Sequence, residues 1–405
     1  MSNRITVGFI PLVDCAPLVV AARKGFAAAE GIDLVLVRET SWASIRDRVA
    51  VGHFDGAHML APMALAANLG LQPLAAPIVV PMALGLGGNA ITVSNALWQD
   101  LLRHGAGPGI DASRALSAFG RCLVERSEAG RPKPVLAIVH QHSAHNYELR
   151  YWLAAGGIDP DLDVALVSLP PPLMASALAS GHVDGFCVGE PWSSVAVARG
   201  AGRIVTTKSE IWRSGPDKVL GMRADRVKVD VDVVAALVRA VNRAARWCDE
   251  PANRVQLAEI LSQGDVLAQP AGIVLQSLSG HLALGCGGEA DVEDFVVFSR
   301  RAATFPWISH ALWFFSQMVR WGDVALTPQT VEAARATYRP DLYRAAVAAL
   351  GGVVPATSSK VEGALAIETA VASIGGYLSL GPDTFFDGRR FDPDDVAAYV
   401  ANGRP

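Results

Sequence analysis

Three imidazoles within six residues, His140-Gln141-His142-Ser143-Ala144-His145, form the densest set of chemically competent side chains in the sequence. Imidazoles so clustered can ligate a transition metal, but a complete site needs further Cys, Asp or Glu ligands at matching spacing, and none accompanies this run. The run follows an apolar stretch, Val135 to Val139. A strand-to-helix loop turning its side chains into a cleft, with Tyr147 to Leu153 starting the helix, is the better account, and no metal site is expected. Asp217-Lys218 lies in a loop between Trp212 and Gly221-Met222-Arg223 and on composition alone is a solvated pair. Trp42 alone is a packing anchor. The glycine-rich stretches Gly85 to Gly88 and Cys286-Gly287-Gly288 have neither the Gly-x-Gly-x-x-Gly pattern nor a Lys-Ser/Thr ending, so nucleotide binding is unsupported. No Gly-x-Ser-x-Gly elbow is present. These residues suggest neither an enzyme nor a cofactor.

The elements that would position them alternate. Ile5 to Phe9 is strand-like, Leu18 to Glu30 has helical spacing, and Ile32 to Val37 is a second strand, which predicts a parallel or mixed α/β sheet. A weak internal repeat is more informative. Gly52-His53-Phe54-Asp55-Gly56 recurs as Gly181-His182-Val183-Asp184-Gly185, and a proline follows six residues after each last glycine, at Pro62 and Pro191. Each copy follows a helix-like run, Ile45 to Val51 or Leu173 to Ser180, and enters a short apolar strand, Ala57 to Leu60 or Phe186 to Val188. A Gly-x-x-Asp-Gly turn alone is a common helix ending. The matching context implies two duplicated α/β lobes facing across a cleft, where strand ends and helix N-termini suit an anion. Lobe one is expected over residues 1–94 and lobe two over 95–203. Residues 204–405 would recross near Ile204 to Met222 and then form a helical C-terminal part packed on lobe one. Its helices are expected at Val227 to Trp247, Asn253 to Leu261 and Ala311 to Trp321.

Composition sets bounds. Of 405 residues, 51% are hydrophobic and 18% charged, enough for a large core. The net charge is -4 and no basic stripe is present, which argues against direct nucleic-acid binding. Residues 75–87 are apolar but too short and broken to span a membrane, so no membrane insertion is expected. Five cysteines, Cys15, Cys122, Cys187, Cys248 and Cys286, are odd in number and set among apolar residues, and read as buried free thiols. The N-terminus lacks the basic and apolar regions of an export signal, which points to the cytoplasm.

Longer segments carry a resemblance. TSWASIRDRVAVGHFDGAHMLAPMALA (40–66), HNYELRYWLAAGGIDPDLDV (145–164), LPPPLMASAL (169–178), FCVGEPW (186–192), PDKVLGMR (216–223) and FPWISHALWFFSQMVRWG (305–322) resemble the nitrate- and bicarbonate-binding proteins of ABC transporters. The resemblance implies a two-lobed, periplasmic-binding-protein-like (type II) α/β clamshell with a helical C-terminal extension. It also implies an oxyanion pocket formed by Trp42, Asn89, His145 and Lys218, with Pro171, Gly189 and Glu190 as nearby walls. Nitrate accepts hydrogen bonds without donating any, so ammonium, imidazole, amide and indole donors suit it, and Lys218 would balance its charge. Family nitrate binders typically carry glutamine where Asn89 stands, one methylene longer. Exchange of Lys218 for Glu is expected to abolish nitrate binding with the fold kept. The missing leader makes the chain similar to cytoplasmic NasS-type nitrate/nitrite sensors, which act on an RNA-binding, NasT-type antiterminator. The alternative is the substrate-binding component of a nitrate or bicarbonate ABC transporter.

Overall fold

The computed structural model describes residues 3–74, 76–349 and 351–401. Two five-stranded mixed sheets form its frame. The first contains β1 (Asn3–Phe9), β2 (Ile32–Arg38), β3 (Gly56–Leu60), β4 (Ile78–Ala83) and, from much later in the chain, β10 (Lys218–Arg223), in the order β2-β1-β3-β10-β4. The second contains β5 (Asn89–Ser94), β6 (Val135–Ile138), β7 (Ala165–Ser168), β8 (Gly185–Gly189) and β9 (Gly202–Thr207), in the order β9-β5-β8-β6-β7. Their central strands read as near-continuous apolar runs because helices cover both faces; β3 and β8 are buried at every residue.

The duplicated segment does the same work in both lobes. Gly52 and Gly181 take left-handed φ values of 79° and 72°, closing the preceding helix where a β-carbon would be strained. Asp55 then receives the Thr6 N–H on its side chain (2.8 Å) and gives its own N–H to the Thr6 carbonyl (2.9 Å). Asp184 repeats both bonds with Val135, at 2.8 and 2.7 Å. In each lobe this aspartate fixes a parallel strand to the one beside it. Pro62 then falls in the first turn of the next helix, and Pro191 caps its counterpart.

The lobe boundaries differ from the sequence expectation. Asn89–Ser94, placed with lobe one, pairs antiparallel with Gly185–Gly189 in the second sheet, so the first crossing is residues 84–88. Gly202–Thr207 also belongs to the second sheet, and the chain returns through 208–217. The expected helix Val227 to Trp247 is interrupted at Asp230, whose backbone (φ −122°, ψ 53°) is not helical, leaving Ala224–Val229 and Val231–Asp249.

The C-terminal part does not pack on lobe one alone. Helix Ile308–Arg320 is followed by Asp323, which accepts the Tyr147 hydroxyl of lobe two (2.6 Å), and Asp387 accepts that of Tyr151 (2.8 Å). It also grips both crossings. Val296–Val297 pairs with Leu86–Gly87, while Trp212 packs against Trp313 and Phe385 at ring separations of 4.5 and 4.7 Å. Four cysteines are buried and Cys286, expected with them, is exposed at a hairpin turn; all five are free. Among the described residues no helix is long and apolar enough to cross a membrane.

Candidate functional site

Strand direction gathers the site. β1, β3 and β4 run one way and β10 the other, so the C-terminal ends of the first three and the start of β10 share one edge. In the second sheet the ends of β6, β8 and β9 and the start of β5 do the same. Binding sites in α/β proteins form at this edge, because loops and helix N-termini emerge there. Two helices illustrate it. Ser41 caps α1 (Trp42–Ala50) by accepting the Ser44 N–H (3.2 Å), and Ser143 caps α2 (Ala144–Ala155) by accepting that of Asn146 (3.0 Å). Trp42 and His145 therefore both sit in first turns, where the helix dipole favours negative charge.

Trp42, Asn89, His145 and Lys218 come together in a closed site, each no more than 1% exposed. Lys218 starts β10 opposite Leu60, and its ammonium stands 5.6 Å from the Trp42 ring centroid. It lies between two carboxylates, 3.1 Å from Asp14 Oδ2 and against Asp217. Asp14 Oδ1 is 2.8 Å from His58 Nε2, and the His58 ring lies 5.5 Å from that of Trp42. The Ile10 N–H reaches His58 Nδ1 (3.4 Å), which leaves the ring proton on Nε2, toward Asp14. Across the cleft, His145 Nε2 stands 3.6 Å from Asp217 Oδ2. Asn89 pairs directly with Gly189, and a methyl group added at Gly189 would lie 3.3 Å from Asn89 Oδ1 and 3.7 Å from Asp14 Oδ2.

Protonation states follow from burial and neighbours. Burial pushes His145 down to about 3, against the opposing pull of Asp217, so its imidazole is neutral. Burial works to raise Asp14 and Asp217, yet Lys218 beside them holds both below the usual carboxylate range. The same two carboxylates raise Lys218 against its desolvation. Lys218 is thus charged but already balanced, not the spare positive charge expected of it. Several polar atoms here are buried without hydrogen bonds: Trp42 Nε1, both His145 ring nitrogens and Asn89 Oδ1. Unpaired buried groups cost roughly 1–3 kcal/mol each, so their convergence marks a place built for a polar guest.

Among the described residues, the side chains of two expected walls, Pro171 and Glu190, make no hydrogen bond or ion pair with this network. Pro171 is buried beyond the end of edge strand β7, and among the described residues no polar contact joins it to the network. The Glu190 side chain accepts from the Ser194 N–H (3.2 Å) and the Ser277 hydroxyl (3.0 Å), tying lobe two to the C-terminal helix Ala271–Ser279. Its carbonyl accepts the Val13 N–H (2.7 Å) and so bridges the lobes. Asp14, His58, Glu148 and Lys208 were not foreseen. For Asp14 and His58 the one signal is a polar residue inside an apolar run, for Glu148 a place one helical turn after His145, and for Lys208 there is none. His140 and His142 stay in the loop as expected, their rings 5.7 Å apart, and no metal-holding group exists among the described residues.

Residues 2–262 match the NMT1-like family. The chain belongs to that family. Among curated relatives of this NMT1-like protein, the nitrate/nitrite binding protein NrtA of Synechococcus elongatus is 32% identical over 98% of this chain and 85% of its own length. The nitrate import ATP-binding protein NrtC of Synechocystis is 39% identical over 86% of this chain, which spans only 50% of that relative. Among solved structures, the periplasmic nitrate-binding protein NrtA of Synechocystis superposes with a TM-score of 0.85 at 29% identity, over 100% of this chain and 99% of that one. The fold is therefore the periplasmic-binding-protein fold.

Proposed function

We propose that this protein captures nitrate or nitrite between its lobes as the substrate-binding component of an ABC-type importer. The observation that carries the reading is the closed convergence of Trp42, Asn89, His145 and Lys218, with buried polar atoms left unpaired, at the N-termini of two helices. The indole and imidazole N–H groups, the Lys218 ammonium and the helix N-termini suit a small planar anion that only accepts hydrogen bonds. Because Asp14 and Asp217 already neutralise Lys218, these donors and dipoles, rather than net charge, would hold the anion.

The relatives' names support work in import over a cytoplasmic sensor acting on an antiterminator. Calorimetric titration of the purified chain with nitrate, nitrite, bicarbonate and sulfate tests the ligand. Saturable binding of either nitrogen anion is expected, and binding of bicarbonate alone would overturn the reading. Deleting the gene should abolish growth on low nitrate if the importer role is right; unchanged uptake with altered gene expression would favour the sensor.

A further inference from the structure

Glu148 stands behind the site and reaches it through Asn89. It lies three residues after His145 on α2, on the same helical face, and is buried. Oε1 contacts the Lys208 ammonium, which also meets the Pro216 carbonyl, and Oε2 accepts from Asn89 Nδ2 at 3.4 Å. The other groups acting on it are Asp217 from the return crossing and the buried Cys187 thiol from β8.

A charged carboxylate only accepts hydrogen bonds, so Asn89 must turn its NH2 toward Glu148. Its Oδ1 is left buried and unpartnered beside Gly189. That is the wrong group for nitrate, which repels an acceptor. Turning the amide over would offer Nδ2 to the anion, but Oδ1 would then face Glu148, which is favourable only if Glu148 carries a proton to donate. Charge leads to the same point. Lys208 and Lys218 face Asp14, Asp217 and Glu148, one negative charge in excess; a bound anion would add a second inside a closed site.

Building on the nitrate reading, we propose that Glu148 is a positioning residue that couples anion capture to uptake of one proton. The proton comes from solvent and bonds to a Glu148 oxygen. Glu148 then donates to Asn89 Oδ1, and Asn89 Nδ2 donates to the anion. Burial already raises the Glu148 carboxyl to about 7, against the pull of Lys208, so the proton is accessible at neutral pH.

The test is calorimetric titration with sodium nitrate from pH 6 to 8.5, repeated in two buffers of different ionisation enthalpy. Proton linkage predicts a Kd that rises about tenfold per pH unit above about pH 7, with uptake approaching one proton per anion. Glu148→Gln, whose amide donates at every pH, should hold a constant Kd, show no linked uptake, and bind more tightly than the unmodified protein at pH 8.5. A flat Kd with no uptake in the unmodified protein overturns the coupling while the nitrate reading stands. Absence of nitrate binding at every pH overturns both. Should Glu148→Gln not fold, the two-buffer comparison on the unmodified protein decides alone.

Discussion

At Gly189 an added methyl group would meet atoms of both lobes, Asn89 Oδ1 from its own sheet and Leu12 and Asp14 from lobe one. Gly189 leaves open the space that Asn89 Oδ1 and Asp14 Oδ2 border, and a methyl group would stand 3.3 and 3.7 Å from them. Gly189→Ala should therefore leave the melting temperature nearly unchanged while raising the nitrate Kd roughly tenfold, equivalent to about 1.4 kcal/mol of lost contact. An unchanged Kd in titration would place the anion elsewhere. Lys218 carries a different consequence. With two carboxylates against its ammonium, it holds the fold as well as the site. The sequence expectation that Lys218→Glu would spare the fold fails on this geometry, since it would gather three buried carboxylates. Even Lys218→Met leaves Asp14 and Asp217 uncompensated and should cost about 3–5 kcal/mol in urea unfolding. A stability within 1 kcal/mol of the unmodified protein would show the ion cluster to be hydrated.

The duplicated element makes matched claims testable. Asp55 and Asp184 each bind a strand backbone through both side chain and main chain, and each follows a helix closed by a left-handed glycine. Replacing either with Ala removes a charge-assisted bond and leaves a strand N–H unsatisfied. Each should cost about 1.5–3 kcal/mol in denaturant midpoint analysis, Asp55 somewhat more because Arg226 pairs with it at 3.1 Å. The element was legible because glycine, aspartate and proline act locally: the turn, the cap and the helix start need those residue types wherever they occur. His145 was named through the family resemblance; its residues alone left it in a loop, whereas the structure places it in the first turn of the helix that Ser143 caps. Asp14, His58 and Lys208 were not legible, because their partners lie tens to hundreds of residues away in sequence. Pro171, expected from the resemblance as a wall, lies buried in the turn just beyond edge strand β7.

At the scale of the whole molecule, the C-terminal part ties both lobes and both crossings, so closure and stability are linked. Glu190 sits at the meeting of lobe one, lobe two and helix Ala271–Ser279, and burial raises its carboxyl from 4.5 to about 7 against the hydrogen bonds of Ser194 and Ser277. The folded state therefore favours the protonated form. Folding takes up a proton in the window between pH 4.5 and about 7, and this contribution to stability is lost as pH rises through it. Glu190→Gln should be more stable than the unmodified protein at pH 8, with the gap narrowing toward pH 5. Parallel stability curves for the two proteins would show Glu190 ionised without penalty.

The sequence by itself determined the duplicated α/β lobes, the paired Gly-x-x-Asp-Gly turns and the apolar strands that follow them. Each is encoded in local residue type and period. Only the tertiary structure decided that Asn89–Ser94 joins the second sheet, that the C-terminal part clasps both lobes, and that Lys218 is neutralised by Asp14 and Asp217. Strand partners and buried charge pairs arise between segments far apart in the chain, and they are fixed by which edges and faces meet when the two sheets close.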